Sequence, residues 1–342
     1  MLRVYKSLHF QQLLSDVASL ELELHPQDPK IDDIANNMRV KIIRNGTIVF
    51  GGLIQRLDWA KPEGSPAGET YKVTAWDHGI YADWRVCVCD DGTEPVVYGP
   101  DHAGDLCKDL VYAHMGGGAD ASRRFSDLTI AADAHDGDSM TVNIGFIKLL
   151  TALKDTARGQ VDWRFVPGAT GCTFTTGAPF GLDRTMGNGV NAECVFSFDR
   201  RNIRSLRYAA SVYNHRNDVY VLGQGEAADR TVKQVSDAGN ITAWKRREAA
   251  IDARQMELEA SLTARGTAEL SYRAPAETAG VMPVTGTWLA SSGTTWGLGD
   301  IVTVIDKSYR DFEMEAKIVG VDVTITPGAL EQVRPILDLA EV

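Results

Sequence analysis

Along much of this chain apolar and polar residues alternate, the pattern of strands with one face buried. Met38-Arg39-Val40-Lys41-Ile42 alternates apolar with basic side chains, Asn45-Gly46 follows, and Thr47-Ile48-Val49-Phe50 returns. Asn-Gly between such runs predicts a two-residue hairpin, because both turn positions need φ > 0. Gly51-Gly52 predicts a bend before a strand over Leu53–Leu57. Lys61–Gly68, with two prolines and two glycines, reads as a loop, and Tyr71–Trp76 as a half-buried strand. The Cys87-Val88-Cys89 segment also reads as part of a strand.

From about residue 90 to 159 the period changes. Leu106, Leu110 and Val111 fall at helical spacing within Ala103–Met115, and Gly116-Gly117-Gly118 supplies the stop. A second helix is predicted over Gly145–Arg158, with Phe146, Leu149, Leu150, Leu153 and Ala157 as its apolar stripe and Gly159 as its cap. Strands over 161–165 and 172–176 complete a small α/β unit. Strands follow over 194–198, 203–211 and 219–222, then a helix within 249–274, then strands over 300–305 and 312–326. The expected fold class is α+β, mainly β. The domains are a first β-barrel over 1–88, an α/β insert over 89–189, and a second β-barrel over 190–305 with a helix near 250–273. C-terminal strands over 306–342 complete the fold.

Composition narrows the class. A length of 342 residues predicts two or three domains at ~150 residues each. With 44% hydrophobic and 24% charged residues, wholesale disorder is excluded. No stretch approaches the ~20 apolar residues of a membrane-spanning helix. The first 24 residues lack the apolar core and cleavage site of a signal peptide, so a chain kept or assembled in a cytoplasm is expected. The net charge of −11 is the wrong sign for gripping nucleic acid, where Lys and Arg must replace phosphate counterions. Acidity is concentrated over 90–140, where Asp90, Asp91, Glu94, Asp101, Asp105, Asp109, Asp127, Asp133, Asp136 and Asp138 outnumber Lys108, Arg123 and Arg124. This segment is expected on the outer periphery or facing a basic neighbour.

Candidate chemistry is sparse. Cys87, Cys89, Cys107, Cys172 and Cys194 offer one CxC and no second pair, so reduced structural thiols are expected rather than a zinc site. Gly223-Gln-Gly225-Glu-Ala-Ala228 has the spacing of a dinucleotide fingerprint. The alternating residues after it predict a strand, not the helix N-terminus that would face a pyrophosphate, so it reads as a strand-to-strand loop. Asp133, His135, Asp136 and Asp138, around Gly137, form an oxygen-rich group without EF-hand spacing, and a solvated loop is expected over an ion site. No nucleophile elbow, zinc-protease helix or phosphate loop occurs, and nothing singles out a catalytic pair among the 46 carboxylates. The seven tryptophans are assigned to core and interfaces rather than sugar platforms. The basic run Trp244–Glu248 reads as a subunit contact or a solvated helix start. No catalytic, cofactor-binding or metal residue is assigned.

Several segments, in order, resemble the distal tail hub proteins of long-tailed bacteriophages, related in fold to the central hub of contractile-tailed phages. They are Val40–Ile54, Val73–Asp77, Ala103–Leu106, Asn214–Gly225, Trp244–Glu248 with Asp252–Arg254, Trp296–Val304 and Ile318–Ile325. The resemblance implies a homotrimer in which two tail-tube-like β-barrels per chain form a pseudo-sixfold ring. The ring would join the tail tube or distal tail protein above to tip, fibre or tape-measure proteins below or inside. DNA would contact it only in transit, through an acidic lumen poor in Lys and Arg. No hydrolase or fibre domain is read after the closing strands, so a virion structural role without lytic activity is expected. The alternative is a cell-wall-degrading or carbohydrate-binding β-protein.

Overall fold

The computed structural model describes residues 5–25, 28–61, 69–88, 96–226, 229–254, 259–284, 296–307, 312–329 and 331–338. The chain opens with β1 (Tyr5–Leu13), β2 (Ser19–Leu24), β3 (Arg39–Arg44), β4 (Thr47–Ala60), β5 (Thr70–Asp77) and the short helix α1 (Ile80–Asp83). Its middle holds β6 (Val96–His102), α2 (Ala103–Met115), β7 (Leu128–Ile130), β8 (Ser139–Ile144), α3 (Leu149–Ala157), β9 (Asp162–Pro167) and β10 (Cys172–Gly177). Next come β11 (Val195–Ser197), β12 (Ile203–Ser211), β13 (Asp218–Leu222), β14 (Val232–Ser236), α4 (Ala238–Trp244), β15 (Glu248–Asp252), α5 (Glu259–Tyr272) and β16 (Ala276–Pro283). Strands β17 (Ile301–Asp306), β18 (Phe312–Ile325) and β19 (Gln332–Asp338) close it.

One nine-stranded sheet dominates, in the order β11-β17-β18-β1-β2-β5-β4-β3, with β19 also on β18. The first strand thus lies antiparallel to the penultimate one, with Leu8 opposite Ile325 and Phe10 opposite Val323. The β2 sequence Ser-Leu-Glu-Leu-Glu-Leu shows why one face is buried: Leu20, Leu22 and Leu24 enter the core while Ser19, Glu21 and Glu23 face water. The Asn45-Gly46 turn adopts φ of 50° and 81°, as the hairpin reading requires. At the predicted bend β4 changes partner, pairing with β3 over Thr47–Leu53 and with β5 over Gly52–Ala60. Gly52 permits this crossing, since a Cβ there would lie 2.0 Å from the Trp76 carbonyl oxygen.

The class expected from sequence, mainly β with an α/β part, is observed. Two separate barrels are not: among the described residues no sheet closes on itself. Strands from both β-rich regions instead share one sheet and one core. Phe10, Leu20, Val73, Val302, Ile318 and Val323 pack together, and Ile203, Ala279 and Val281 from β12 and β16 join them. Each such fully buried side chain is worth ~1.5–3 kcal/mol. A second core joins α2 and α3 to the small sheet β7-β10-β9 through Leu106, Leu110, Leu149, Leu153, Trp163 and Phe174. A third, much smaller core forms where α5 covers the sheet β14-β13-β15, around Val219, Val221, Ala253 and Leu262.

Three local expectations are corrected. The second helix begins at Leu149, because Ile147 and Lys148 are drawn into extended pairing with Val86 and Cys87, which leaves Phe146 exposed. That pairing is an isolated bridge at Val86, so Cys87 is not in a strand, and Cys89 lies outside the described residues. The late helix, expected near 250–273, is α5 and begins only at Glu259, because residues 248–252 form β15 parallel to β13. Ala249 and Ile251 alternate inward there, and the available strand edge outweighs their helix propensity.

Ion pairs and backbone bonds lock the units together. Lys317 meets the buried Asp162 at 2.8 Å, and Arg39 meets Asp127 at 2.8 Å. The Ser15 amide donates to the Trp163 carbonyl at 2.9 Å. From the insert, Arg158 reaches the buried Glu269 of α5 at 3.0 Å, which Arg273 also binds. Asp77 and His78 sit at the seam between sheet and insert. Burial pushes the Asp77 carboxyl up to about 7, against a hydrogen bond from the Gly79 amide that favours its ionised form. Burial pulls the His78 imidazole down to about 4.

These shifts oppose each other. Between about pH 4 and 6.5 the folded state keeps a proton on Asp77 that the unfolded chain has lost, so this term falls with rising pH. Folded His78 lacks the proton its unfolded form carries, so its term rises over the same window. In the wild type the two oppose each other. Asp77→Asn should unmask the His78 slope, with stability increasing by up to ~1.4 kcal/mol per pH unit from pH 4 to 6.5. Urea denaturation across that range checks this, and a flat profile in Asp77→Asn would refute it.

Candidate functional site

Strand alternation gives the large sheet a polar, solvated face among the described residues. Because strand side chains alternate, Ser7, His9 and Gln11 of β1 line up with Glu21 and Glu23 of β2, Lys72 and Thr74 of β5, and Asp322 and Thr324 of β18. Arg56 and Asp58 extend the row on β4, opposite Thr74 and Lys72. The charges on this face pair with one another. Lys72 meets Glu21 at 2.8 Å, Arg56 meets Asp58 at 2.8 Å, and Lys6 meets Glu23 at 3.7 Å. Asp322 accepts from His9 at 2.9 Å and Gln11 at 3.2 Å. With Arg334 of β19, which lies opposite Asp322, four carboxylates stand against four Lys or Arg, so this row is close to charge balance and offers no cationic cluster. Such pairs add little stability individually. Their effect here is to tie up the cations that would otherwise hold an anionic polymer.

The acidic loop of the insert is more tightly organised than a solvated loop. Asp105 and Lys108, both on α2 and both buried, lie 3.2 Å apart, and the loop folds over them. Lys108 donates to the Ala132 carbonyl at 2.8 Å, while Asp105 accepts from the Ala134 amide at 3.2 Å and from His135 Nδ1 at 2.7 Å. Burial pushes the Asp105 carboxyl up, but the hydrogen bonds from Lys108 and His135 more than offset this and hold it below its ordinary value. Of the four sequence candidates, only His135 joins a grouping with metal-ligand geometry, beside Asp101 and Asp105. Asp136 accepts from the Thr176 hydroxyl, the Asp138 amide donates to Gln160, and Asp133 stands 3.9 Å from Lys108. The Lys108 ammonium already supplies the positive charge that an ion would bring.

The remaining motifs resolve structurally. The glycine-rich segment is the loop joining β13 to its antiparallel neighbour β14, with the Gly223 amide bonded to the Thr231 carbonyl. Cys107, Cys172 and Cys194 are buried, and burial pushes each thiol up to about 12, which leaves them unreactive. Trp163 and Trp296 are core residues, Trp59, Trp76, Trp84 and Trp244 are exposed, and Trp288 lies outside the described residues.

The basic run closes a helix rather than opening one: α4 ends at Trp244, and Arg246 reaches the fully buried Asp218 at 3.0 Å. Asn217 holds this corner by donating to the Asn240 and Lys245 carbonyls and accepting from the Arg247 amide. The polar residues of Asn214–Asp218 are therefore a structural clamp. Sequence reading passed over the arginines at 200, 201, 204 and 207, whose spacing along a strand in an acidic chain was the available signal.

An open mixed sheet carrying an inserted α/β unit and a small ββαβα unit is the fold of phage tail proteins. Residues 1–337 match the family described as siphovirus ReqiPepy6 Gp37-like protein, and the chain belongs to that family. The tail protein from Neisseria meningitidis MC58 superposes with a TM-score of 0.65 at 14% identity, over 99% of this chain and 94% of that one. The 43 kDa tail protein of prophage MuSo2 from Shewanella oneidensis gives 0.63 at 14% identity, over 98% and 95%. A type VI secretion component from E. coli, c3393, described as structurally similar to the T4 tail proteins gp27 and gp5, gives 0.52 at 10% identity, over 98% and 73%. At these identities the likeness is one of fold. No curated protein matches the sequence. The resemblance to phage tail hub proteins drawn from the sequence agrees with the family and with these folds.

The buried pair in α2 gives a direct test. Lys108→Met should take the cation from beside Asp105, leaving it only the His135 and Ala134 bonds, and cost up to about 3–5 kcal/mol, whereas Asp105→Asn combined with Lys108→Met should recover part of that loss. Chemical denaturation of the two variants checks this. Equal losses would show that the pair is not coupled.

Proposed function

We propose that this protein is a structural hub at the distal end of a siphovirus tail, in which three copies form a pseudo-sixfold ring between tail tube and tip. The observation that carries the reading is the self-paired polar face of the nine-stranded sheet, on a fold shared with phage tail proteins. In a ring, that face suits the channel wall: Lys6, Arg56 and Lys72 are engaged by neighbouring carboxylates and Arg334 lies opposite Asp322, so a DNA backbone passing along it meets no cluster that would hold it. The expected wall is net acidic with few Lys or Arg side chains, and in the proposed ring this self-paired face would form part of it. In the assembled particle, the ring's partners are the distal tail protein or tail tube on one side and tip, fibre or tape-measure proteins on the other.

The role is non-enzymatic. The buried carboxylates Asp105, Asp162, Asp218, Glu269 and Asp300 are each bound by Lys or Arg, Asp28 accepts from the Lys30 amide and Asp77 from the Gly79 amide, contacts that suit structural anchoring. No helix among the described residues is long and apolar enough to cross a membrane.

Negative-stain images of the purified protein at high concentration should show rings with threefold symmetry and a central opening, with a mass three times that of the chain in sedimentation. A compact monomer at every concentration would refute the ring. Zymography on cell-wall substrate should show no clearing, and clearing would favour the hydrolase reading.

A further inference from the structure

The chain contains two asparagine–glycine steps, Asn45-Gly46 and Asn188-Gly189, and the fold holds them differently. Asn45 and Gly46 form the exposed tip of the β3–β4 hairpin, on the edge strand of the large sheet. Pairing ends with Arg44 opposite Thr47, so the amides of the two turn residues lie outside the ladder. The Asn45 carboxamide has no hydrogen-bond partner among the described residues. A Cβ added at Gly46 would meet no atom within 4 Å, so the space around the tip is open.

Gly189 is equally open, but Asn188 is bonded at both ends of its carboxamide. Its Nδ2 donates to the Thr185 carbonyl at 2.6 Å, and its Oδ1 accepts from the Val190 amide at 2.9 Å and the Asn191 amide at 2.7 Å. The loop that carries it is fixed as well. The Gly187 amide donates to Glu193 at 3.0 Å, and Asn191 Nδ2 donates to the Asp183 carbonyl at 2.8 Å. The Met186 amide ties the loop to β17 through the Thr303 hydroxyl at 2.8 Å.

An asparagine before glycine carries an electrophile and a nucleophile on adjacent residues. The glycine amide nitrogen attacks the asparagine Cγ, and the new C–N bond closes a five-membered succinimide. The side-chain nitrogen takes up the displaced proton and leaves as ammonia. Water then opens the ring at either carbonyl, giving aspartate or isoaspartate, with no oxidant or cofactor. Closure needs a carboxamide free to turn its carbon onto the next amide, and no Cβ on the attacking residue. Asn45 meets both conditions. Asn188 meets only the second, because turning its carboxamide breaks three hydrogen bonds.

We propose that Asn45 is a site of spontaneous covalent modification in the folded protein, and that Asn188 is protected by the bonds of its loop. The product alters the edge of the sheet. Isoaspartate carries the main chain through Cβ and lengthens a two-residue turn, which removes the pairing of Arg44 with Thr47 and of Ile43 with Ile48. Either product also sets a new carboxylate next to Arg44, which already meets Glu331 at 2.8 Å.

Peptide mapping by mass spectrometry tests this on the full chain, aged in mildly alkaline buffer with and without urea. In the folded protein Asn45 should convert to acid at least ~10-fold faster than Asn188, whose three hydrogen bonds must first break. In urea the two rates should converge, because the protection belongs to the fold. Folded Asn188 converting as fast as Asn45 would overturn the protection. Conversion at neither site in the folded chain, with both converting in urea, would overturn Asn45 as the modification site. Thermal melting checks the consequence: protein aged to isoaspartate should melt below Asn45→Asp, which carries the charge on an unaltered backbone. Equal melting would overturn the loss of pairing at Arg44.

Discussion

The pairing of β1 with β18 is the contact on which the rest depends. It brings together residues more than 300 positions apart, with Leu8 opposite Ile325. Closing so long a chain costs entropy that grows only slowly with length, but the contact must still be repaid by burial. The repayment is the shared core, where Phe10, Val321 and Val323 pack with Leu20 and Val302. Once this seam forms, β2, β5, β4 and β3 extend the sheet on one side and β17 and β11 on the other. A topology so rich in distant pairings is expected to fold slowly compared with a helical protein of equal stability.

Buried charge then sets how the smaller units sit on the sheet. Lys317 with Asp162 and Arg39 with Asp127 fix the insert to it, and Arg158 with Glu269 fixes α5 to the insert. Removing one member of such a pair strands a charge in a dry setting, so these contacts penalise any other docking angle. In the proposed ring, fixed orientation would matter more than net stability, because each subunit would meet identical copies and unlike neighbours at defined angles. The same economy of charge appears on the solvated sheet face, where cations and carboxylates neutralise each other within the chain.

Much of this was legible in the chain itself. The hairpin at Asn45-Gly46, the alternation of β2, the helix over Ala103–Met115 with its glycine stop, and the β-rich ends with an α/β unit between them all follow from local periodicity and turn chemistry. The ordered segments from Val40–Ile54 to Ile318–Ile325 were sufficient to point to phage tail hub proteins, because short patterns that are weak singly become specific when their order is kept. The reading of the glycine-rich segment as a strand-to-strand loop also rested on local evidence, since alternation after Gly225 cannot build the helix a phosphate site needs.

Tertiary structure decided the rest, because the missing information was non-local. Residues 248–252 are good helix formers, and only the open edge of β13 makes them a strand. Asp105 and Lys108 look like ordinary surface charges at helical spacing, and only the loop folded over them turns them into a buried pair. Two β-rich regions read as two barrels, since no local pattern records that β1 will lie beside β18. Periodicity assigns each strand a face, but which strand lies beside which is settled by where buried area and paired charge are greatest, a property of the whole chain at once.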